Sequence, residues 1–256
     1  LALILLAACG GRGTGPLPQG AVPAVQVTAP AFGEARPRAW GARTPADYRV
    51  HGTDTSRFQS GVDWRAARAA GVNFAFVKAT EGADLVDPAF RDTWRAARAA
   101  GVRVGAYHFW YHCRGGAEQA RWFIRNVPKS PGALPPVLDL EWTPFSPTCT
   151  RRPPGAELRR EAGVFLDALE RYYGQRPIVY VSPDIYRDAE LARLPRVEFW
   201  LRSVAGHPSQ VYPGQDWTFW QYSGTALIPG IAGRADANVF AGTAADWAAW
   251  LAARAR

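Results

Sequence analysis

A nine-residue segment, WRAARAAGV, occurs twice in the chain, at residues 64–72 and thirty residues later at 94–102. Each copy is typical of a helix that Gly71 or Gly101 ends, because glycine tolerates the left-handed backbone angles of a helix C-terminus. An apolar run of strand length follows each copy, NFAFVKAT and RVGAYHF. The thirty-residue spacing matches the length of one strand-plus-helix unit. The repeat therefore predicts parallel strands joined by crossover helices.

Strand-like runs recur along the chain beyond the repeat. There are eight, at residues 48–54, 74–80, 104–109, 137–140, 178–181, 199–201, 218–222 and 236–240. Helical patterns separate only some of them, at 64–70, 88–100, 117–126 and 157–173, with a last one at 244–253. Eight strands with fewer than eight helices predict an α/β fold, an irregular, TIM-like (β/α) barrel. An open doubly wound sheet is the alternative.

The N-terminus has a composition of its own. Residues 1–9, LALILLAAC, are too few to span a bilayer and are typical of the end of a secretory signal. The tetrad 6–9 resembles a bacterial lipobox, so we expect Cys9 to carry lipid; an ordinary signal peptide is the alternative. Since Gly10 and not Asp follows, the expected location is periplasmic, anchored to the outer membrane in preference to the inner. Residues 10–45 are rich in Gly, Pro and Ala and predict a flexible tether, which leaves 46–256 as the folded domain.

The three cysteines fit this location. If Cys9 carries lipid, Cys113 and Cys149 remain as a pair in an oxidising compartment, where a disulfide is expected. Two separate buried thiols are the alternative.

Charge and composition indicate which classes of binding partner the protein can have. The formal net charge is +8, which favours anionic polymers. The arginines are scattered through Ala-rich helices without a dense run, however, so solvated helix faces explain them equally well. We predict a monomer with no nucleic-acid partner. The 11 Trp and 9 Tyr suit sugar rings, although Trp is also ordinary core filler.

Motifs for bound cofactors are missing from the sequence. The four histidines lack metal-ligand spacing, and no P-loop, serine nucleophile elbow or dinucleotide fingerprint follows a strand. We therefore predict no metal and no cofactor.

Carboxylates recur where the predicted strands end. Asp54 ends the first strand, Glu81 follows the second, Asp139 and Glu141 end the fourth, and Asp236 begins the eighth. Reactive groups of such barrels lie at the carboxyl ends of the strands. Any single carboxylate could be a cap or a turn residue, but together they favour a site.

Asp139 and Glu141 form the most informative pair. Side chains two apart on a strand point to one face, with Cα atoms roughly 6.5 Å apart. Two such carboxylates cannot ionise independently, so one is pushed to a higher pKa. Glycoside hydrolysis needs this combination, an acid for the leaving oxygen and an anion for the charge that develops on the sugar. The alternative is a capping Asp beside a solvated Glu.

Six motifs in order over about residues 48–240 resemble glycoside hydrolase family 25, the lysozymes first known from fungi and phages. They are GTDTSRFQ (52–59) with DW (63–64), FVKATEG (76–82), GAYHF (105–109), PPVLDLE (135–141), WQYS (220–223), and PGI (229–231) followed by Asp236.

The resemblance implies hydrolysis of the β-1,4 bond between N-acetylmuramic acid and N-acetylglucosamine in peptidoglycan. It implies Glu141 as general acid and Asp139 as stabiliser at the anomeric carbon, with Asp54 and Asp236 completing an acidic cluster. The substrate-binding positions that it implies are Glu81, Tyr107, Trp220 as a sugar platform, and Tyr222. The segments around Cys113 and Cys149 resemble the variant of Gram-negative bacteria, in which two cysteines bridge neighbouring loops.

The chain departs from the family pattern in three places. Arg57-Phe58 replaces the frequent His-His, Ala237 replaces Leu after the last Asp, and Arg202 stands where a smaller residue is common. Each departure is expected to alter substrate fit without removing a carboxylate. A non-catalytic wall-binding lipoprotein and a hydrolase of chitin-like glycans are the competing functions, and the Asp-x-x-Asp-x-Asp-x-Glu pattern of the latter is absent at 135–141.

Overall fold

The computed structural model describes residues 25–254. Its strands are β1 (Gly33–Glu34), β2 (His51–Thr55), β3 (Phe74–Glu81), β4 (Leu85–Val86), β5 (Arg103–Phe109), β6 (Val137–Leu140), β7 (Ile178–Val181), β8 (Glu198–Arg202), β9 (Phe219–Leu227) and β10 (Ala235–Phe240). Its helices are α1 (Trp64–Ala69), α2 (Phe90–Ala99), α3 (Gly116–Asn126), α4 (Gly155–Tyr173), α5 (Pro183–Asp188), α6 (Pro208–Val211) and α7 (Ala244–Ala252).

Eight strands close into a barrel in the order β2-β3-β5-β6-β7-β8-β9-β10, with β10 pairing back onto β2. The irregular α/β barrel is thereby confirmed, and the open sheet is wrong because β9 also pairs with β8. Strands β2 to β9 of this ring run parallel, but β10 is antiparallel to both neighbours. The reversal brings the start of β10 to the barrel mouth, where Asp236 pairs in register with Asp54.

The sequence repeat forms two equivalent helix-to-strand units. Trp64 begins α1, Trp94 lies within α2, and both side chains are buried. Gly71 and Gly101 follow the helices with φ of 102° and 81°, the left-handed conformation that favours glycine. The crossover predicted from the repeat is confirmed, since β2, β3 and β5 are parallel neighbours.

Aromatic side chains fill the barrel interior. Phe74, Phe76, Trp200 and Phe219 are at most 2% exposed and pack ring against ring, with centroid distances of 4.6 Å for Phe76–Trp200 and 5.0 Å for Phe74–Phe219. A second, larger apolar layer lies between the sheet and the surrounding helices. Because side chains fill the interior, a ligand of the barrel binds at its mouth and not inside it.

Residues 25–45 differ from the tether that their composition predicts. Val25 and Val27 pack on the interior aromatic cluster, and Thr28 exchanges hydrogen bonds with the Asn73 side chain. β1 adds a short antiparallel strand to the outside of β9. The folded domain therefore begins before residue 46. This segment, with its prolines and glycines, is an extended chain that contacts with distant residues hold in place.

Cys9 and the rest of the predicted signal and proximal tether lie outside the described residues. Across residues 25–254, none of the helices combines the length and apolar character that a membrane crossing requires.

Candidate active site

A cleft of about 370 Å³ opens at the carboxyl ends of the parallel strands, and we call it the mouth cleft. Its lining residues are Asp54, Ser56, Phe58, Lys78, Tyr107, Phe109, Asp139, Glu141, Tyr180, Trp200, Arg202, Gln221 and Asp236. All four carboxylates predicted as catalytic are among them. These carboxylates come from distant parts of the sequence but meet in one cleft. Asp54, Asp139 and Glu141 lie at or just after the ends of parallel strands, and Asp236 lies at the start of the antiparallel β10.

Asp54 is held by two amides. Its Oδ2 accepts hydrogen bonds from Gln221 Nε2 at 3.0 Å and Asn238 Nδ2 at 2.8 Å. Burial raises the pKa of Asp54, and the two hydrogen bonds limit the rise because they favour the charged form. The amides fix the orientation of this carboxylate at the base of the mouth cleft.

Asp139 and Glu141 occupy the end of β6 and the residue after it. Asp139 is 8% exposed, and its Oδ1 has no hydrogen-bond partner among the described residues. Burial, reinforced by the negative charge of Glu141, raises the pKa of Asp139 well above its ordinary value, against the opposing effect of Lys78. Burial also raises the pKa of Glu141, which the Arg202 charge partly offsets. The two carboxyls therefore titrate as a pair that retains a proton at higher pH than isolated carboxyls do.

Asp236 and Tyr107 are both affected by the negative charge of the neighbouring carboxylates. Burial raises the pKa of Asp236, and the charge of Asp54 raises it further. Burial, with the charges of Asp54 and Asp139, raises the pKa of the Tyr107 hydroxyl well above its ordinary value. Tyr107 therefore keeps its proton and is available as a hydrogen-bond donor in the mouth cleft.

Sequence reasoning missed a polar network that supports the carboxylates. The Tyr180 hydroxyl donates to Gln221 Oε1 at 2.9 Å and lies 3.4 Å from Glu141 Oε1. Trp200 Nε1 donates to Asn238 Oδ1 at 2.8 Å, and Asn238 in turn donates to Asp54. The sequence did contain a signal for Gln221. Side chains alternate between the two faces of a strand, so Gln221 must face the side opposite to Trp220 and Tyr222.

Trp220 is not in the mouth cleft, and the structure contradicts its expected role as a sugar platform. Its side chain is fully buried, and its Nε1 donates to the Ser203 carbonyl oxygen at 2.8 Å. Its ring packs against Trp40 and Trp217. No face of the indole is free for a sugar, since β9 turns this residue away from the barrel interior.

Two further positions expected to bind substrate lie outside the mouth cleft. The Tyr222 side chain lies on the outer side of β9, where its hydroxyl is 3.1 Å from His51 Nδ1. Glu81 ends β3 in an ion pair with Lys78, with Nζ and Oε2 2.6 Å apart. Lys78, and not Glu81, contributes to the lining.

Phe58 and Arg202 add an exposed aromatic face and a second cation, beside Lys78, to the mouth cleft. Phe58 is 77% exposed on the loop after β2. Arg202 ends β8 and lowers the pKa of Asp54, Glu141 and Asp236, opposing their burial. Both positions depart from the pattern of the resembled family.

A disulfide joins the loops on one rim of the mouth cleft. Cys113, after β5, is bonded to Cys149, after β6, with Cα atoms 5.9 Å apart. The Tyr111 hydroxyl also lies 2.7 Å from both Ser146 Oγ and Thr148 Oγ1. The two loops are thereby held together beside the strand that carries Asp139 and Glu141.

Comparison with protein families gives one match, "Glycosyl hydrolases family 25", over residues 53–231. The chain belongs to glycosyl hydrolase family 25. The matched span contains Asp54, Asp139 and Glu141; Asp236 follows it, and residues 25–52 precede it.

Named relatives agree with the family assignment. The chain is 34% identical over 222 residues to the uncharacterized protein YegX of Escherichia coli, covering 84% of this chain and 78% of that one. It is 32% identical over 216 residues to Lysozyme M1 of Streptomyces globisporus, covering 78% and 71%.

Solved structures of this glycosyl hydrolase family share the fold. A family 25 glycosyl hydrolase from Bacillus anthracis superposes with a TM-score of 0.72 at 34% identity, covering 80% of this chain and 94% of that one. The bacterial lysozyme from Streptomyces coelicolor gives a TM-score of 0.69 at 30% identity, covering 80% and 96%. The protein is therefore a glycoside hydrolase with a family 25 barrel.

Proposed function

We propose that this protein is a lysozyme that hydrolyses the β-1,4 bond between N-acetylmuramic acid and N-acetylglucosamine in peptidoglycan. The observation that carries the proposal is the meeting of Asp54, Asp139, Glu141 and Asp236 in one cleft at the barrel mouth. Relatives named as lysozyme and N,O-diacetylmuramidase support the choice of substrate.

In the proposed reaction, Glu141 gives its proton to the glycosidic oxygen as the bond to the anomeric carbon breaks. Asp139, deeper in the cleft, is ionised when the proton that the pair retains lies on Glu141, and its carboxylate stabilises the positive charge that develops on that carbon. Water then adds its oxygen to the anomeric carbon and returns a proton to the carboxylate of Glu141. Glu141 is assigned as the donor because it is less buried than Asp139 and follows the end of β6.

Phe58 is the proposed sugar platform in place of Trp220. It is the exposed aromatic side chain of the mouth cleft, and flat aromatic faces suit the apolar faces of sugar rings. Tyr107, which keeps its proton, is the proposed hydrogen-bond donor to the substrate.

The proposed location is the periplasm, with a lipid on Cys9 anchoring a monomer to the outer membrane. The support comes from the sequence alone, the LAAC tetrad at 6–9. Metabolic labelling with a fatty acid should mark the wild-type protein and not Cys9→Ser; labelling of neither would contradict the anchor.

Mass spectrometry of purified peptidoglycan after digestion tests the proposed reaction. The expected products carry a new reducing end on N-acetylmuramic acid. A new reducing end on N-acetylglucosamine would contradict the bond assignment. Binding to peptidoglycan without any cleavage would establish a wall-binding protein instead.

A further inference from the structure

A second cleft of about 610 Å³ lies outside the barrel, between residues 30–46 and strands β8 and β9. We call it the outer cleft. Its walls include three aromatic and three cationic side chains, namely Phe32, Trp40, Tyr222, Arg36, Arg38 and Arg202.

One wall of the outer cleft is built by chain that lies outside the family match, which begins at residue 53. This wall is held firmly: β1 pairs with β9, and the Glu34 carboxylate accepts hydrogen bonds from the Ser223 and Thr225 hydroxyls. The Trp40 ring packs edge-on against Trp220 at a centroid distance of 5.2 Å. The cleft is therefore a fixed feature of this fold.

The outer cleft carries more positive than negative charge. Arg36, Arg38 and Arg202 form no salt bridge within residues 25–254, although the chain pairs many of its other arginines. Glu34 is the acidic side chain of the cleft, and both its oxygens already accept hydrogen bonds from β9 and from the Arg36 amide. The charge that remains suits a ligand with carboxylates, which guanidinium groups bind through paired hydrogen bonds.

The outer cleft adjoins the mouth cleft. Arg202 lines both of them. Gly224 lines the outer cleft, and a Cβ atom at this position would lie 3.3 Å from Asp236 Oδ1 in the mouth cleft. A substituent of a sugar bound at the mouth can therefore reach the outer cleft directly.

We propose that the outer cleft binds the carboxylate-bearing peptide attached to the muramic acid that occupies the mouth cleft. Arg36 and Arg38 bind the carboxylates of this peptide, and Phe32 and Trp40 contact its apolar side chains. The proposal rests on the proposed lysozyme function, since it takes the substrate to be peptidoglycan. It makes the protein selective for glycan that still carries peptide.

Two substrates test this selectivity, intact peptidoglycan and glycan strands from which an amidase has removed the peptides. The measurement is the ratio of kcat/KM on the first to kcat/KM on the second. Arg36→Gln with Arg38→Gln should lower this ratio about tenfold through KM, because two charged hydrogen-bond donors are lost. Arg91→Gln with Arg121→Gln removes the same charge from exposed helix positions and should keep the wild-type ratio. Equal ratios in all three proteins would overturn the proposal.

A binding measurement separates failure of this proposal from failure of the lysozyme function. Calorimetric titration of Glu141→Gln with the soluble peptide, free of sugar, requires no turnover. Binding that the Arg36→Gln and Arg38→Gln changes weaken about tenfold supports the outer cleft even if no glycan is cleaved. No detectable binding at millimolar peptide would overturn it even if the wild type is an active lysozyme.

Discussion

The mouth cleft and the outer cleft lie on two sides of strand β9 and carry opposite charge. Gln221 points into the mouth cleft, beside buried carboxylates, whereas Tyr222 points into the outer cleft, beside exposed arginines. In the mouth cleft, burial raises the pKa of each of the four carboxyls proposed as catalytic. In the outer cleft, the cationic side chains of Arg36 and Arg38 are exposed.

The difference shows how burial decides what a charged side chain can do. A buried carboxyl exchanges its proton at accessible pH and so can act as an acid or base. A solvated guanidinium stays protonated at accessible pH, so it can bind a ligand but does not act as an acid or base. In the proposed function, the mouth cleft carries out the chemistry and the outer cleft recognises the peptide, and Arg202 lines both clefts.

The largest expected effect is in the mouth cleft. Glu141→Gln keeps the shape of the side chain but cannot donate a proton, so kcat on peptidoglycan should fall by about 10²–10⁴-fold. Binding to insoluble wall should persist. Glu118→Gln, at a half-exposed glutamate on α3 outside the mouth cleft, is the matched control and should retain activity. Near wild-type turnover by folded Glu141→Gln would remove Glu141 from the mechanism.

The next largest effect is expected at Trp220 on β9, the strand that separates the two clefts. Trp220 is buried in the wall that β9 forms, so Trp220→Ala should lower the free energy of unfolding by about 3–5 kcal/mol. Urea denaturation measures the loss. Trp220→Phe keeps most of the buried ring and should cost less. Unchanged stability with a raised KM would restore Trp220 as a sugar platform.

Arg202 tests the coupling between the clefts. Burial raises the pKa of Glu141, and the positive charge of Arg202 lowers it. Removing that charge in Arg202→Gln should therefore shift both limbs of the pH profile of kcat/KM to higher pH, by on the order of one pH unit. Arg202→Lys keeps the charge and should stay near the wild-type profile. Superimposed profiles for wild type and Arg202→Gln would show that Arg202 has no electrostatic role.

The smallest effect is expected at Phe58. Phe58→Ala removes an exposed aromatic face from the mouth cleft and should raise KM about fivefold with little change in kcat. Phe145 is 95% exposed on the disulfide-linked loop but does not line the cleft. Phe145→Ala should therefore leave KM unchanged. Equal behaviour of the two variants would contradict the role of Phe58.

The sequence predicted most of the strands, because local periodicity indicates which face of a strand is buried. It placed the four carboxylates near one another through their positions at strand ends and the resemblance to a known family. It did not reveal that β10 runs antiparallel, since strand direction depends on pairing and not on local pattern. That direction is why Asp236, at the start of its strand, lies opposite Asp54.

Side-chain roles on β9 were harder to predict. Trp220 and Gln221 are adjacent, and nothing in their residue types says which one faces the barrel interior. The register with β10 and β8 decides this, and it turns the more conspicuous aromatic residue outward. The packing of residues 25–45 was likewise hidden, because contacts such as Thr28 with Asn73 join distant parts of the chain.

Burial raises the pKa of Asp139 and of Glu141, so the pair keeps a proton at pH values where ordinary carboxyls are ionised. Titration of the labelled side-chain carboxyls by ¹³C NMR, with assignment from Asp139→Asn and Glu141→Gln, tests it without any substrate. Both carboxyls should titrate above their ordinary values of 3.8 and 4.5, and Glu141→Gln should lower the pKa of Asp139 by removing a negative neighbour. Titration of both at the ordinary values, unchanged by either substitution, would contradict the account.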